Sequence, residues 1–246
     1  MKKLMEALMS QKLPECLACG RAKKQSRGLC TTCIAEIPWV QAIQCKRCGR
    51  DIECPDCRRL VGPYALTAQR SAVRYAEPFQ HWLEQYKFSG NEQWRPCFAY
   101  LMERAYERLI ADFPALLQHP RFLIPIPLSR ERLEQRGFNQ AEHLAKALAL
   151  HEGLPMFSLL ERPVHLEKQS SRTRQERLQA LSGVFAICPQ ENRRCIVWWK
   201  RNRRQKPPVA ILIDDIYTTG STLHEAAVTL RKKIPIPVFA LTLARS

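Results

Sequence analysis

Short apolar runs and amphipathic stretches alternate along this 246-residue chain. Predominantly apolar runs predict buried strands at residues 122–126, 209–213 and 238–243, and the run at 209–213 is unbroken. Apolar residues at helical spacing predict helices at 78–88, 94–113, 141–150 and 223–230. A weaker alternation between Tyr64 and Tyr75 predicts two short strands. Strands that alternate with helices in this way predict an α/β domain built on a parallel sheet.

Two adjacent carboxylates follow the strand predicted at 209–213. Asp214 and Asp215 stand at its carboxyl end, where open α/β sheets bind ligands and where charged side chains can leave the core. The residues that follow are rich in hydroxyl groups and lead into the next predicted helix. Backbone N–H groups, the hydroxyls and the positive end of the helix dipole favour a phosphate dianion, with a glycine for close approach. The predicted phosphate-binding residues are Thr218, Thr219, Gly220, Ser221 and Thr222.

The paired acids suit a phosphorylated sugar. Carboxylates cannot hold phosphate directly but accept hydrogen bonds from vicinal hydroxyls, so the ribose diol of a 5-phosphate fits Asp214 and Asp215. The alternative is a Rossmann-like strand before an ordinary Ser/Thr-capped helix, with both acids solvated. A Walker-type nucleotide loop is excluded, because no G-x-x-x-x-G-K-[ST] occurs in the chain.

The run LIDDIYTTGST at residues 212–222 resembles the signature of the type I phosphoribosyltransferases. The resemblance implies that Asp214 and Asp215 hold the ribose hydroxyls of phosphoribosyl pyrophosphate and that residues 218–222 hold its 5-phosphate. Many purine-type members carry an acid at the position of Thr218, where it acts as a general base. A threonine hydroxyl is a poor proton acceptor near neutral pH. Thr218 therefore argues against a purine salvage enzyme and leaves transfer to a more acidic nucleophile open.

Eight of the eleven cysteines form four CxxC pairs near the amino end. A two-residue gap lets two thiolates bind one tetrahedral ion, so two pairs complete a Cys₄ site and two structural zinc ions are expected. Sequential pairing is the simpler arrangement; interleaved pairing, disulfides and iron–sulfur ligation are the alternatives. The predicted ligands are Cys16, Cys19, Cys30, Cys33, Cys45, Cys48, Cys54 and Cys57. The remaining thiols, Cys97, Cys188 and Cys195, are expected to be packing residues.

The chain is strongly basic, with 39 Lys and Arg against 23 Asp and Glu and a formal charge of +16. Two zinc ions on eight thiolates lower this to about +12, which points to a polyanionic partner unless the charge only solubilises the surface. No apolar run approaches the roughly 20 residues that cross a bilayer, and residues 1–12 suggest an amphipathic helix rather than a signal peptide. We therefore expect a cytoplasmic protein without membrane insertion. Its length suits a zinc-ribbon module at 1–60 and an α/β domain at 61–246.

A basic, tryptophan-bearing segment precedes the strand with the two acids. Residues 193–206 hold seven Lys or Arg residues and no acid. Arginine beside exposed tryptophan can contact phosphates and stack on unpaired bases, which favours single-stranded nucleic acid. The alternative is a hairpin whose tryptophans cover the edge of the core. The candidate nucleic-acid residues are Trp198, Trp199, Lys200, Arg201, Arg203 and Arg204.

Nearly the whole chain resembles the ComF/GntX family. The resemblance is carried by the four CxxC pairs, the loop at 212–222, and the segments YKFSGN (86–91), IPIPLSRERLEQRGFNQAEHLA (124–145) and RLQALSGVF (177–185). It implies a type I phosphoribosyltransferase-like fold, with a Rossmann-like parallel sheet and a small amino-terminal double zinc-ribbon module. It also implies a role in natural competence, in which single-stranded DNA is handled in the cytosol beside helicase-like and recombination-loading proteins. The ligand implied is phosphoribosyl pyrophosphate with Mg²⁺, or a nucleotide.

A phosphoribosyltransferase must hold a magnesium pyrophosphate group, which backbone amides and cations do. The candidate contacts are Ser129, Arg130 and Arg136, after the strand at 122–126, and Lys87 in YKFSGN. Each cation could equally be solvated on a helix surface. Three functions remain open: a competence protein that binds this ligand and single-stranded DNA, an active phosphoribosyltransferase of nucleotide salvage, or a zinc-ribbon adapter with a vestigial ligand site.

Overall fold

The structure is a computed structural model that describes residues 15–21, 25–52, 54, 57, 64–88, 92–163, 183–202 and 206–246. The strands are β1 (Gln25–Ser26), β2 (Leu29–Cys30), β3 (Ala68–Arg74), β4 (Arg121–Pro125), β5 (Leu160–Glu161), β6 (Ala186–Ile187), β7 (Val209–Tyr217) and β8 (Val238–Arg245). The α-helices are α1 (Thr31–Ala35), α2 (Phe79–Phe88), α3 (Arg95–Asp112), α4 (Arg130–Arg136), α5 (Gln140–Glu152), α6 (Pro189–Arg201) and α7 (Ser221–Lys233). Short 3₁₀ turns lie at Glu92–Trp94 and Pro114–Gln118.

Four parallel strands form the central sheet, in the order β3–β8–β7–β4. The strand with the two acids, β7, is therefore internal, with Ile213 in register with Pro125 on one side and Leu241 on the other. An internal parallel strand is covered on both faces, which explains its unbroken apolar run. The predicted α/β class with a parallel sheet is confirmed.

Residues of β7 alternate between two hydrophobic cores. Val209, Ile211 and Ile213 pack in the first core, on the side of α2, α3 and α5. Ala210 and Leu212 pack in the second core, on the side of α7. Because side chains of a strand alternate between its faces, the next two residues, both acids, also emerge towards opposite sides.

The amino-terminal segment lies along the free edge of the sheet. The N–H groups of Arg74 and Gln69 donate to the carbonyls of Pro38 and Arg47, at 2.8 and 2.7 Å, and Val40 N–H donates to the Ala72 carbonyl at 3.0 Å. These bonds cover β3, whose backbone would otherwise be open to pairing with another chain. The cysteines also join this segment to the sheet domain, because three of the first four pack in the first core and Cys48 and Cys54 pack in the second.

The predicted helices and the three buried strands are confirmed, with ends that differ by a few residues. The two short strands predicted between Tyr64 and Tyr75 are a single strand, β3, which begins at Ala68. The segment after β4, predicted as a loop, forms α4 because Ser129 caps it, accepting the Arg132 N–H at 3.4 Å, and a left-handed Gly137 ends it. The predictions for residues 1–12 and for RLQALSGVF up to Ser182 lie outside the described residues.

The basic segment before β7 forms helix α6 rather than the hairpin considered as its alternative. Pro189 stands in the first turn, with Glu191 beside it, and Lys200 and Arg201 occupy the last turn. Proline suits the first turn of a helix, and acids at the start with cations at the end complement the helix dipole. No helix among the described residues is long and apolar enough to span a membrane.

Candidate functional site

The two acids lie within the last four residues of β7, which extends to Tyr217 rather than ending before Asp214. Both carboxylates are half-buried, and the backbone N–H of Asp215 donates to Oδ1 of Asp214 at 2.9 Å. The strand thus delivers two carboxylates to the carboxyl edge of the sheet, where the sequence predicted them.

Lys87 meets Asp215 at this edge. Its Nζ lies 2.5 Å from Oδ2 of Asp215, and the two side chains are only 12% and 17% exposed. Lys87 belongs to the last turn of α2, a helix that Trp82, Leu83 and Tyr86 anchor in the first core. This packing holds the ammonium group over the acid. Lys87, one of the four pyrophosphate candidates, therefore lies at this edge of the sheet in contact with an acid.

The pKa of Asp214 is raised to about 7, chiefly by burial and then by the charge of Asp215. The Asp215 N–H and the charges of Lys87 and Arg162 oppose this rise. Arg162 is half-buried, and its guanidinium lies 5.0 Å from the ring centre of Phe185, a residue of the second core. The acids therefore feel the charge of a cation on each side of the sheet, Lys87 in contact with Asp215 and Arg162 through its charge alone.

The hydroxyl loop, residues 218–222, connects β7 to α7. Thr218 and Thr219 are exposed, and Oγ1 of Thr219 lies 2.9 Å from Oγ of Ser221. Helix α7 begins at Ser221, after Gly220 at φ 77°, which offers no side-chain cap; Oγ1 of Thr219 accepts the Ser221 N–H at 3.4 Å. First-turn N–H groups without a cap are donors for an anion. Phosphate binding by this loop stays a prediction.

Tyr217 supports this loop from below. A Cβ atom at position 220 would overlap the Tyr217 hydroxyl, so Gly220 is required both by its positive φ and by this contact. The Tyr217 hydroxyl also lies 3.0 Å from that of Tyr64, whose ring stacks on His224 of α7 at 5.0 Å between centres. The backbone of the loop therefore rests on a packed aromatic group.

The other pyrophosphate candidates lie on α4. Ser129 caps this helix, Arg130 forms an exposed ion pair with Glu134 at 2.9 Å, and Arg136 Nη1 donates to Oε1 of Gln140 at 3.0 Å. Helix α4 follows the carboxyl end of β4, next to β7 in the sheet. Their role as pyrophosphate contacts stays a prediction.

Sequence reasoning missed Arg162, Tyr64 and Arg245 as neighbours of the site. Arg245, from β8, places its guanidinium 4.4 Å from the ring centre of Tyr217. No local motif marks these residues. The signal that could have found Arg245 is its place just beyond the predicted strand 238–243, because the ends of adjacent parallel strands meet at one edge; in the structure it is in register with Tyr217.

The eight cysteines of the CxxC pairs form two groups. Within each group the four sulfur atoms lie within 4.8 Å of one another, and the groups combine successive pairs, 16/19 with 30/33 and 45/48 with 54/57. Sequential pairing is thus the arrangement observed. All eleven cysteines of the chain are free of disulfides. Cys97 and Cys195 are buried, which raises their thiol pKa values to about 12 and about 11, as expected for packing residues.

The sulfur geometry fits zinc. A tetrahedron with Zn–S bonds of about 2.3 Å has edges of about 3.8 Å, and the Cys19–Cys30 and Cys48–Cys54 sulfur pairs are 3.9 and 3.5 Å apart. Backbone N–H groups also point at the sulfurs, from Cys30 to Cys16 at 3.3 Å and from Cys57 to Cys54 at 3.5 Å. Such bonds stabilise thiolates. The two Cys₄ groups can hold two structural zinc ions.

The tryptophans of α6 face the protein. Trp198 packs against Phe122 and Phe157, with ring centres at 5.6 and 5.8 Å. Trp199 lines a small cavity beside Phe122 and Ile236. Lys200 and Arg201 are exposed, and the other two nucleic-acid candidates, Arg203 and Arg204, lie outside the described residues.

Known proteins resemble this chain over most of its length. It is 32% identical to Competence protein ComFC of Bacillus subtilis (strain 168), over 91% of this chain and 86% of that protein. It is 27% identical to Competence protein F of Haemophilus influenzae, over 88% and 90% of the two chains, and 26% identical to DNA utilization protein YhgH of Escherichia coli (strain K12), over 86% and 82%. No protein-family model matches the chain. The similarity to the ComFC protein, at this identity and coverage, shows that the chain belongs to the ComF family.

Proposed function

We propose that this protein acts in the uptake and handling of single-stranded DNA during natural transformation, and that it binds phosphoribosyl pyrophosphate with Mg²⁺, or a nucleotide, at the carboxyl edge of its sheet. The observation that carries the ligand proposal is the juxtaposition of Asp214 and Asp215 with the amino end of α7, where the N-cap residue Gly220 has no side chain. Acceptors for a diol and donors for a phosphate lie on consecutive residues of one strand–loop–helix unit.

The chemistry of each part matches one part of the ligand. Asp214 and Asp215 accept hydrogen bonds from the two ribose hydroxyls, and the N–H groups and hydroxyls of the hydroxyl loop donate to the 5-phosphate. Mg²⁺ prefers oxygen ligands and would be held through the pyrophosphate and a carboxylate. Lys87 is placed to exchange Asp215 for a pyrophosphate oxygen when the ligand enters.

The names of the relatives support the biological part of the proposal. Two are competence proteins and one is a DNA utilization protein. The formal charge of +16 suits a polyanionic partner. We assign phosphate contact on α6 to Lys200 and Arg201, and to Arg203 and Arg204 beyond the helix. Because Trp198 packs inward and Trp199 lines a cavity beside Phe122, the contact of this helix with nucleic acid falls to its exposed cations rather than to base stacking.

Thr218 favours a protein that binds the ligand without transferring its ribose to a nucleobase. Its hydroxyl is exposed at the position where purine-type enzymes carry an acid, and a hydroxyl does not accept a proton from a nucleobase near neutral pH. A test of turnover is pyrophosphate release from phosphoribosyl pyrophosphate in the presence of single nucleobases. Release above the rate of the Asp214→Ala/Asp215→Ala protein would replace a binding role by an enzymatic one.

Calorimetry tests the ligand. Wild-type protein should bind phosphoribosyl pyrophosphate in the presence of Mg²⁺, and Asp214→Ala/Asp215→Ala should abolish the heat. Glu107→Ala, an exposed acid on α3, is the control and should bind as the wild type does. Ribose 5-phosphate and pyrophosphate, titrated separately, distinguish the two halves of the site. Absence of heat with all three compounds would eliminate the ligand proposal.

Salt-dependent binding tests the nucleic-acid partner. Affinity for an unstructured single strand should fall steeply with salt, and Lys200→Glu/Arg201→Glu should lower both the affinity and the salt slope. Lys232→Glu/Lys233→Glu, exposed cations at the end of α7, provide a control of equal charge change. Equal loss in both variants would mean that net charge, rather than α6, governs binding.

A further inference from the structure

Arg245 is a buried cation without an adequate protein partner. The residue is 5% exposed, and within the described part of the chain its Nε and Nη1 atoms have no hydrogen-bond acceptor. Its Nη2 donates to Sγ of Cys54 at 3.8 Å, and its guanidinium carbon lies 4.4 Å from the ring centre of Tyr217. A buried guanidinium needs a compensating charge, since taking an ion out of water is costly.

The second Cys₄ group supplies that charge. Four thiolates around one Zn²⁺ carry a net charge of −2, and the guanidinium is in contact with one of the four sulfurs. Outer-shell donors of this kind hold metal ligands in place and tune the site. Burial of the cation is then matched by burial of the anionic cluster, in which Cys48 and Cys54 are also buried.

The same guanidinium reaches the candidate ligand site. Tyr217 and Arg245 are paired in register on β7 and β8, so the cation stacks on the tyrosine ring. Gly220 is in contact with the hydroxyl of that ring, and Tyr64 holds the hydroxyl from the other side at 3.0 Å. A displaced Tyr217 ring would move Gly220, whose left-handed backbone aims the first N–H groups of α7.

We propose that Arg245 is the buried counter-cation of the second zinc site and that it positions the hydroxyl loop by holding Tyr217 between that site and Gly220. Arg245 is thus a positioning residue that makes zinc occupancy at one site a condition for anion binding at the other. The second half of this inference rests on the proposed function, because it assigns phosphate binding to the hydroxyl loop.

The first Cys₄ group lacks this connection. Three of its four cysteines, Cys16, Cys30 and Cys33, pack in the first core, on the other side of the sheet. Among the described residues, no Lys or Arg side chain donates to its sulfurs; Arg27, close by in sequence, donates instead to Glu103 at 2.6 Å. The two zinc sites should therefore respond differently to the loss of Arg245, which provides an internal control.

The test compares zinc release and loop protection in variants of the full chain. Zinc transfer to a chromogenic chelator should occur in two kinetic phases, one for each zinc site. A Cys30→Ser protein holds zinc at the second site only and therefore shows which phase belongs to that site. Arg245→Met should release zinc from the second site at least about 10-fold faster and leave the rate of release from the first site unchanged. Arg245→Lys should restore part of the slow release, because it keeps the charge but not the planar stack.

Hydrogen exchange and ligand affinity measure whether the hydroxyl loop stays in place. Amide exchange in residues 217–223 should accelerate in Arg245→Met and also in wild-type protein whose second zinc has been removed. Affinity for phosphoribosyl pyrophosphate should fall by about 10-fold in the same two samples. If the wild type binds no phosphoribosyl pyrophosphate, the proposed function fails, while zinc release and exchange still decide the inference.

Two results would overturn the inference. If zinc leaves the second site of Arg245→Met at the wild-type rate, Arg245 is not the counter-cation of that site. Faster release with unchanged exchange at 217–223 would remove the link to the loop. If Arg245→Met does not fold, Arg245→Gln, which keeps a donor for the sulfur and loses the charge, decides between the same outcomes.

Discussion

Nζ of Lys87 lies 2.5 Å from Oδ2 of Asp215, across 128 positions of sequence. The pair joins the end of helix α2 to the end of strand β7 and neutralises one of two adjacent half-buried acids. A ligand diol must compete with this ammonium group for Asp215. Entry of the ligand therefore requires Lys87 to find a second acceptor, such as a phosphate oxygen, or to remain beside the bound sugar.

Loss of the Lys87 charge should destabilise the protein at neutral pH. In Lys87→Met, Asp215 loses its partner while remaining beside Asp214, so the free energy of unfolding should fall by about 2 kcal/mol at pH 8. Urea unfolding at that pH measures the change. Lys146→Met, which breaks the more exposed pair with Glu142 at 2.6 Å, should cost no more than about 0.5 kcal/mol. Equal losses in the two variants would show that the Lys87 pair stabilises no more than a surface pair.

Removal of the Asp214 charge should stabilise the protein above neutral pH. The pKa of Asp214 is raised to about 7, so the folded chain holds a proton that the unfolded chain releases near pH 4. Folding stability contributed by this group therefore falls as the pH rises from about 4 to about 7. Asp214→Asn should unfold about 2–6 °C higher than the wild type at pH 8 and at the same temperature near pH 4.

Thermal melts across this pH range provide the measurement for Asp214→Asn, with the exposed Glu134→Gln as control. A gain that is the same at every pH would mean that it does not come from ionisation. If Asp214→Asn is more stable but no longer binds the ligand, the Asp214 charge serves ligand binding at the expense of folding stability, as is common for functional charges.

Alanine at position 220 should damage both the fold and the loop. Gly220 has φ 77°, and a Cβ there would overlap the hydroxyl of Tyr217. Gly153, at φ 64° at the end of α5, has nothing within 4 Å of the same atom. Gly153→Ala should therefore cost only the backbone term of about 1 kcal/mol. Gly220→Ala should cost at least about 1 kcal/mol more in urea unfolding, and equal costs would contradict the contact.

Zinc content should depend on the two Cys₄ groups independently. Metal analysis of the wild type should find about two zinc ions per chain, and Cys30→Ser or Cys48→Ser should each leave about one. The double variant should hold none and should unfold at a much lower denaturant concentration, since structural zinc binding contributes directly to folding. Loss of both ions from either single variant would indicate a shared or interleaved arrangement.

Trp198 should matter for stability rather than for surface contacts. Its ring packs against Phe122 and Phe157, so Trp198→Ala should lower the free energy of unfolding by about 3–5 kcal/mol. Lys200→Ala and Arg201→Ala, exposed on the same helix, should change it by no more than about 0.5 kcal/mol. Chemical denaturation measures all three. A small effect of Trp198→Ala would mean that the ring is free to face solvent and a ligand.

The local sequence was sufficient to predict those helices and strands whose own residue pattern determines their structure. The apolar run before Asp214 predicted an internal parallel strand, and the helical spacing of 94–113 predicted α3 to within one residue at each end. Helix α4 was missed because it buries no side chain and depends on its cap and on i,i+4 pairs such as Arg130–Glu134, so its periodicity carries little signal. Helix α6 was missed although Cys195, Trp198 and Trp199 recur at helical spacing on its inward face, because its cations dominated the interpretation of the segment.

The sequence by itself determined the chemical parts of this protein: the paired carboxylates, the glycine-containing hydroxyl loop and the CxxC ligand spacing, each of which lies within a few consecutive residues. Only the tertiary structure decided which distant groups complete them. Lys87 contacts Asp215, the charge of Arg162 acts on Asp214, and Arg245 reaches both Cys54 and Tyr217, because parallel strands end at one edge while the helices between them return the chain over either face. Such contacts depend on how helices and strands pack, and no local pattern of residues records that packing.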